Sequence, residues 1–112
     1  MSQQQQLLKQ ELAVSQILRI HGKKFRQVRK RYSDGHDGRC AVGVIMSYYG
    51  WKGKDDSHAG EKLLGASIAL RHAGVSKDLI IQLNDSGKTF EEIADYLDNI
   101  IPEKYHDNNY MT

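Results

Sequence analysis

The 112-residue chain has one cysteine, one proline and two phenylalanines, and it has no acidic residue anywhere between Glu11 and Asp34. A lone cysteine, Cys40, excludes an internal disulfide and points to a reducing compartment. No apolar run approaches the ~20 residues a bilayer span requires, so no membrane-spanning helix is expected. Residues 1 to 6 are polar and lack the charged and apolar regions of a secretory signal, which favours a cytoplasmic protein. The histidines at 21, 36, 58, 72 and 106 are scattered and no second cysteine joins them, so the sequence offers no metal-ligand set. Gly35, Gly38 and Gly43 are not followed by the Gly-Lys-Ser/Thr of a phosphate loop, and no cofactor is expected.

What is present is a globular composition, with 39% apolar and 27% charged residues. One domain of this size buries about two thirds of its unfolded surface. The net charge of +2 hides an uneven distribution. Residues 1–32 hold eight Lys/Arg against one acid, and residues 33–112 hold eight against thirteen. A basic arm of this kind seeks phosphate, or else the chain's own acidic half.

Val14, Leu18, His21, Phe25, Val28 and Tyr32 alternate by four and three, the spacing that stacks side chains on one face of a helix. Arg19, Lys23, Arg26 and Lys30 take the same spacing on the opposite face, with Lys24, Arg29 and Arg31 beside them. The pattern predicts one long basic amphipathic helix over 7–32, bent at Gly22. Other helices of the domain, or a second copy of the arm in a homodimer, would cover its apolar seam. Ser33 to Gly38 reads as a turn. The apolar run from Cys40 to Tyr49 suits a strand or a buried helix, and the absence of a partner strand favours a helix stopped by Gly50. Ser57 is the expected cap of a helix reaching Ala73, with Gly74 ending it, and Ser76 caps the next. Thr89 and Glu92 make a capping box for a last helix that Pro102 should stop. The fold class expected is all-α: a compact bundle of about five helices in one domain over 1–102, its helical core at 39–101, with a mobile segment at 103–112.

Two fragments, Cys40-Ala41-Val42-Gly43 and Asn84-Asp85 followed by Thr89 and Glu92, resemble elements of small uncharacterised helical domains of bacteria and their phages. The resemblance covers residues 39–101 and implies a helical domain, with no activity to transfer. The same residues have structural explanations. Cys40, Ala41 and Gly43 are small enough for another helix to approach closely, and Asn84 and Asp85 suit a helix end and its turn.

The acid-free run supports a non-enzymatic protein that engages nucleic acid by phosphate contacts through Arg19, Lys23, Arg26, Arg29 and Lys30. The alternative is a protein-interaction or regulatory module whose arm binds an acidic protein partner. Residues 76–101 also look like the first part of a DNA-reading helix-turn-helix, but no reader helix follows, and Glu91, Glu92, Asp95 and Asp98 would repel DNA. Glu91, Asp95 and Asp98 match the spacing of Arg19, Lys23 and Arg26, so the stripes could pair, although two separate solvated faces are the favoured reading. His36 and Cys40 resemble an activated thiol only superficially, because Cys40 opens an apolar run.

Overall fold

The computed structural model describes the backbone of residues 12–111 and the side chains of residues 12–100. The expected helix start at residue 7 and the glutamine-rich lead lie outside these residues. The described chain is mostly helical: α1 Val14–His21, a 3-10 turn Gly22–Lys24, β1 Arg26–Gln27, β2 Gly38–Arg39, α2 Ala41–Tyr48, α3 Ala59–His72, α4 Lys77–Asp85 and α5 Phe90–Met111. No described helix is long and apolar enough to cross a membrane.

Helix α2 is the centre. Its first six residues, Ala41 to Met46, are all buried, as expected of a segment that is apolar on every side. Around it pack Ile17 and Leu18 of α1, Ala66 and Leu70 of α3, Ile80 of α4, and Ile93, Ala94 and Leu97 of α5. Each large aliphatic side chain shut away here contributes about 1.5–3 kcal/mol through apolar burial. The helix reading of the 40–49 run therefore stands, and Gly50, in the left-handed region at φ +109°, ends it.

Helix α3 begins at Ala59 with His58 rather than Ser57 before it, and no side chain caps it. Gly74 turns the chain out at φ +95°, and the Ser76 hydroxyl accepts from Leu79 N–H at 3.2 Å to start α4. At α5 the capping box is reciprocal: Glu92 N–H donates to Thr89 Oγ1 and Thr89 N–H to Glu92 Oε1. The expected stop at Pro102 is overturned, since α5 runs on to Met111. Proline removes a single backbone N–H, that facing Asp98, and the helix continues past that gap. The mobility expected of 103–112 concerns residues whose side chains lie outside the description.

The long basic helix is also overturned. Helix α1 ends at His21, and Phe25 is already extended. A helix through Tyr32 would set Arg19 above Lys23 and Arg26 above Lys30, like charges at i,i+4 with no acid between them. Gly22 instead lies against Phe90, whose Cδ2 is 2.8 Å from where a Cβ would stand. The chain then pairs in parallel with β2, Arg26 opposite Gly38 and Gln27 opposite Arg39. This small sheet and an isolated antiparallel bridge between Ser33 and Arg39 are the departures from an all-helical domain among the described residues.

Candidate functional site

The basic arm, residues 22–33, is a 3-10 turn followed by non-helical chain, held against the domain by side chains of α4 and by its own Gln27. Asn84, wholly buried in α4, is the main anchor. Its Oδ1 accepts from Gln27 Nε2 at 2.7 Å and from Ala41 N–H, the first residue of α2, at 3.0 Å. Its Nδ2 donates to the Val28 carbonyl at 2.8 Å. Gln27 extends the network, donating to the Lys88 carbonyl and accepting from Phe90 N–H at the start of α5. One carboxamide thus joins the arm to α2 and, through Gln27, to α5, and satisfies groups that burial would leave orphaned.

Asp85 fixes the tip. Lys30 takes the left-handed conformation at φ +65°, and its N–H donates to Asp85 Oδ1 at 2.8 Å. The strain of about 1 kcal/mol for a residue with a side chain is offset by this charge-assisted bond. Asn84 and Asp85, expected to serve their own turn, serve the arm instead.

The five residues expected to carry phosphate contacts do not share one helix face. Arg19, in the last turn of α1, donates to Glu91, Asp95 and Asp98 of α5 through its Nε, Nη2 and Nη1 at 2.8, 2.5 and 2.8 Å. Those bonds raise its pKa far above the ordinary value. The favoured reading of two separate solvated faces is corrected here, because one arginine gathers the whole acidic stripe. Arg26 is exposed on β1, but its Nη2 bonds Asp34 and lies 3.1 Å from Asp37. Asp34 is held well below the carboxylate range by the N–H of His36, by Arg26 and by the N–H of Gly38.

Lys23, Arg29 and Lys30 remain, together with Lys24 and Arg31, all five exposed and none in an ion pair among the described residues. Lys88, which the sequence did not single out, is exposed on the α4–α5 turn whose carbonyl Gln27 grips. The neighbouring Gly87 lies beside Arg29, whose Nη2 is 3.5 Å from where a Cβ would stand. Nothing in the sequence linked 88 to the arm, because the link is a single glutamine side chain.

Cys40 is buried at 3% exposure and caps α2, its Sγ accepting from Gly43 N–H at 3.4 Å. Burial pushes its thiol up, the opposite of activation. Gly43 is small for a different reason than expected. What approaches it is the Tyr32 carbonyl, which a Cβ would overlap, so the close neighbour is the arm and not a helix.

Arg39 was not foreseen as a buried residue. It is 4% exposed, with Nε bonded to Ser47 Oγ and Nη1 to Ser33 Oγ and to the His36 and Gly38 carbonyls. Phe25 and Trp51 lie 4.6 and 5.5 Å from its guanidinium. Desolvation lowers its pKa, opposed by the charges of Asp34 and Asp37. No group of His, Cys, Asp and Glu among the described residues could hold a metal ion. No family model, curated protein or solved structure matches this chain.

Proposed function

We propose that this protein associates with nucleic acid through non-specific phosphate contacts made by Lys23, Lys24, Arg29, Lys30 and Arg31, with Lys88 beside them. The observation that carries the reading is the contrast along the basic arm. Arg19 and Arg26 are tied up by five carboxylates, while the five cations between and beyond them are exposed and, among the described residues, without acidic partners. Unpaired cations on an anchored loop displace counterions from a polyanion without first breaking internal ion pairs. The arm, not a helical ridge, is the binding element.

Anisotropy of a labelled 20-base-pair duplex, titrated at several salt concentrations, tests this. Affinity should fall steeply with salt, and the double variant R29E/K30E should flatten the slope. Affinity independent of salt, or unchanged in that variant, would refute the reading. If nuclease-treated extracts yield instead one stoichiometric acidic protein bound through the same cations, the arm serves a protein partner.

A further inference from the structure

Helix α3 is apolar on two sides. Its inner side shuts Ala66 and Leu70 into the core, with Leu63 half-buried beside them. Its outer side carries Leu64 and Ile68, which are 59% and 42% exposed. They stand one turn apart and only about 40° from each other around the helix axis, at about 100° per residue. Among the described residues the other exposed large apolar side chain is Ile20 in α1. A surface helix ordinarily turns charge to solvent, yet residues 63–70 hold no charged side chain.

The charges lie at the two ends of the same outer face. Glu61 precedes Leu64, and Arg71 with His72 follows Ile68, all three exposed. The order acid, Leu, Ile, base is complementary to itself when the helix meets a copy running the opposite way. A twofold axis level with Ala66 sets Leu64 against Ile68 of the second copy and Glu61 against Arg71 of the second copy. A parallel pairing would instead set like charges together at both ends.

Two further features suit close approach. Gly65, next to Leu64, has only Tyr49 Cδ2 within 4.0 Å of where a Cβ would stand, so the backbone is open on that side. The Ser67 hydroxyl at the flank already donates to the Leu63 carbonyl at 2.9 Å, so covering it strands no donor.

We infer that α3 is a self-association surface, pairing antiparallel with α3 of a second copy of this chain through Leu64 and Ile68, with Glu61 and Arg71 setting the register. Fourteen helical residues give a contact line of about 21 Å. So short a contact makes a weak dimer, with a dissociation constant of roughly 10 μM to 1 mM. The pairing uses no residue of the basic arm.

Sedimentation equilibrium of the full chain at low salt, from about 5 μM to about 1 mM, tests this. The mass should rise with concentration toward that of two chains, in the R29E/K30E variant as in the wild type. Leu64→Asp should weaken association about tenfold or more, because pairing would bury an unmatched carboxylate. Glu61→Arg and Arg71→Glu should each weaken it, and the double variant E61R/R71E should restore it. That double variant opposes the helix dipole at both ends, so its thermal midpoint should fall while its association recovers. A general loss of structure would lower both together. A monomer up to about 1 mM would overturn the proposal and leave the face to a different partner. Association untouched by Leu64→Asp, or a double variant no tighter than the single ones, would overturn it as well.

Discussion

Arg19 Nη1 donates to Asp98 Oδ2 across 2.8 Å, joining two residues 79 positions apart in the chain. Together with Glu91 and Asp95 this fixes how α1 lies along α5, whose buried faces meet through Ile17, Leu18, Ile93 and Leu97. Exposed ion pairs add little to stability, so their effect is chiefly on orientation.

The pairing has a pH signature. The Ser15 hydroxyl, and after it Arg19, hold the Asp98 carboxyl below its ordinary value, and Asp34 is depressed by His36 N–H, Arg26 and Gly38 N–H. A carboxyl depressed in the folded state contributes stability above its unfolded pKa of about 4 and loses it as pH falls through the folded pKa. Urea midpoints should therefore fall as pH drops below about 4, on the scale of the unfolded aspartate pKa. Asp34→Asn and Asp98→Asn should each make that fall shallower.

Asn84→Ala should cost about 2–4 kcal/mol in chemical denaturation, because the buried Ala41 N–H and the half-buried Val28 carbonyl and Gln27 amide lose this partner together. Asn84→Asp should also destabilise, since it keeps the acceptor but loses the donor to Val28. A loss below about 0.5 kcal/mol, the size of an ordinary surface change, would mean that Asn84 is not the anchor.

Two helical glycines should respond in opposite directions to alanine. Gly60→Ala in α3 should stabilise by about 0.5–1 kcal/mol through reduced backbone entropy. Gly43→Ala drives a methyl into the Tyr32 carbonyl and should destabilise by about 1–3 kcal/mol despite the same gain in propensity. Thermal melts of the two variants compare them directly.

Within the basic arm, Arg26→Gln should leave duplex affinity nearly unchanged, because its guanidinium is already bound by Asp34 and Asp37. Arg29→Gln should weaken binding and reduce the salt slope by about 0.9, the counterion release of one phosphate contact. Equal effects from the two would show that the internal pairs open on binding.

Cys40 should react with a thiol-specific disulfide reagent only as fast as the protein opens. Its burial and raised pKa predict slow labelling in buffer, accelerating through the urea transition. Rapid labelling of the folded protein would restore Cys40 as a reactive centre.

The legible parts of the sequence were those governed by neighbours in the chain. Thr89 and Glu92 announce a helix start three residues apart, Ser76 does the same for α4, and the apolar run after Cys40 could only be central. The four-three seam was correct as far as His21 and misleading beyond it. Phe25 leaves the seam to stack on Arg39, and Val28 hands its carbonyl to Asn84, partners far away along the chain. The match in spacing between the basic and acidic stripes was visible, but not that Arg19 alone would take all three carboxylates.

By itself the sequence determined a small helical domain around a buried central helix, with its cations gathered near one end, because periodicity, caps and charge counts are local or additive properties. The tertiary structure alone decided that the basic run would leave the helix, which cations would be neutralised and which stay open, and that Arg39 would be buried. Those outcomes rest on hydrogen bonds and ion pairs that no helical or strand period announces, from 8 positions apart between Arg26 and Asp34 to 79 between Arg19 and Asp98, and each depends on where the packed core places the partner.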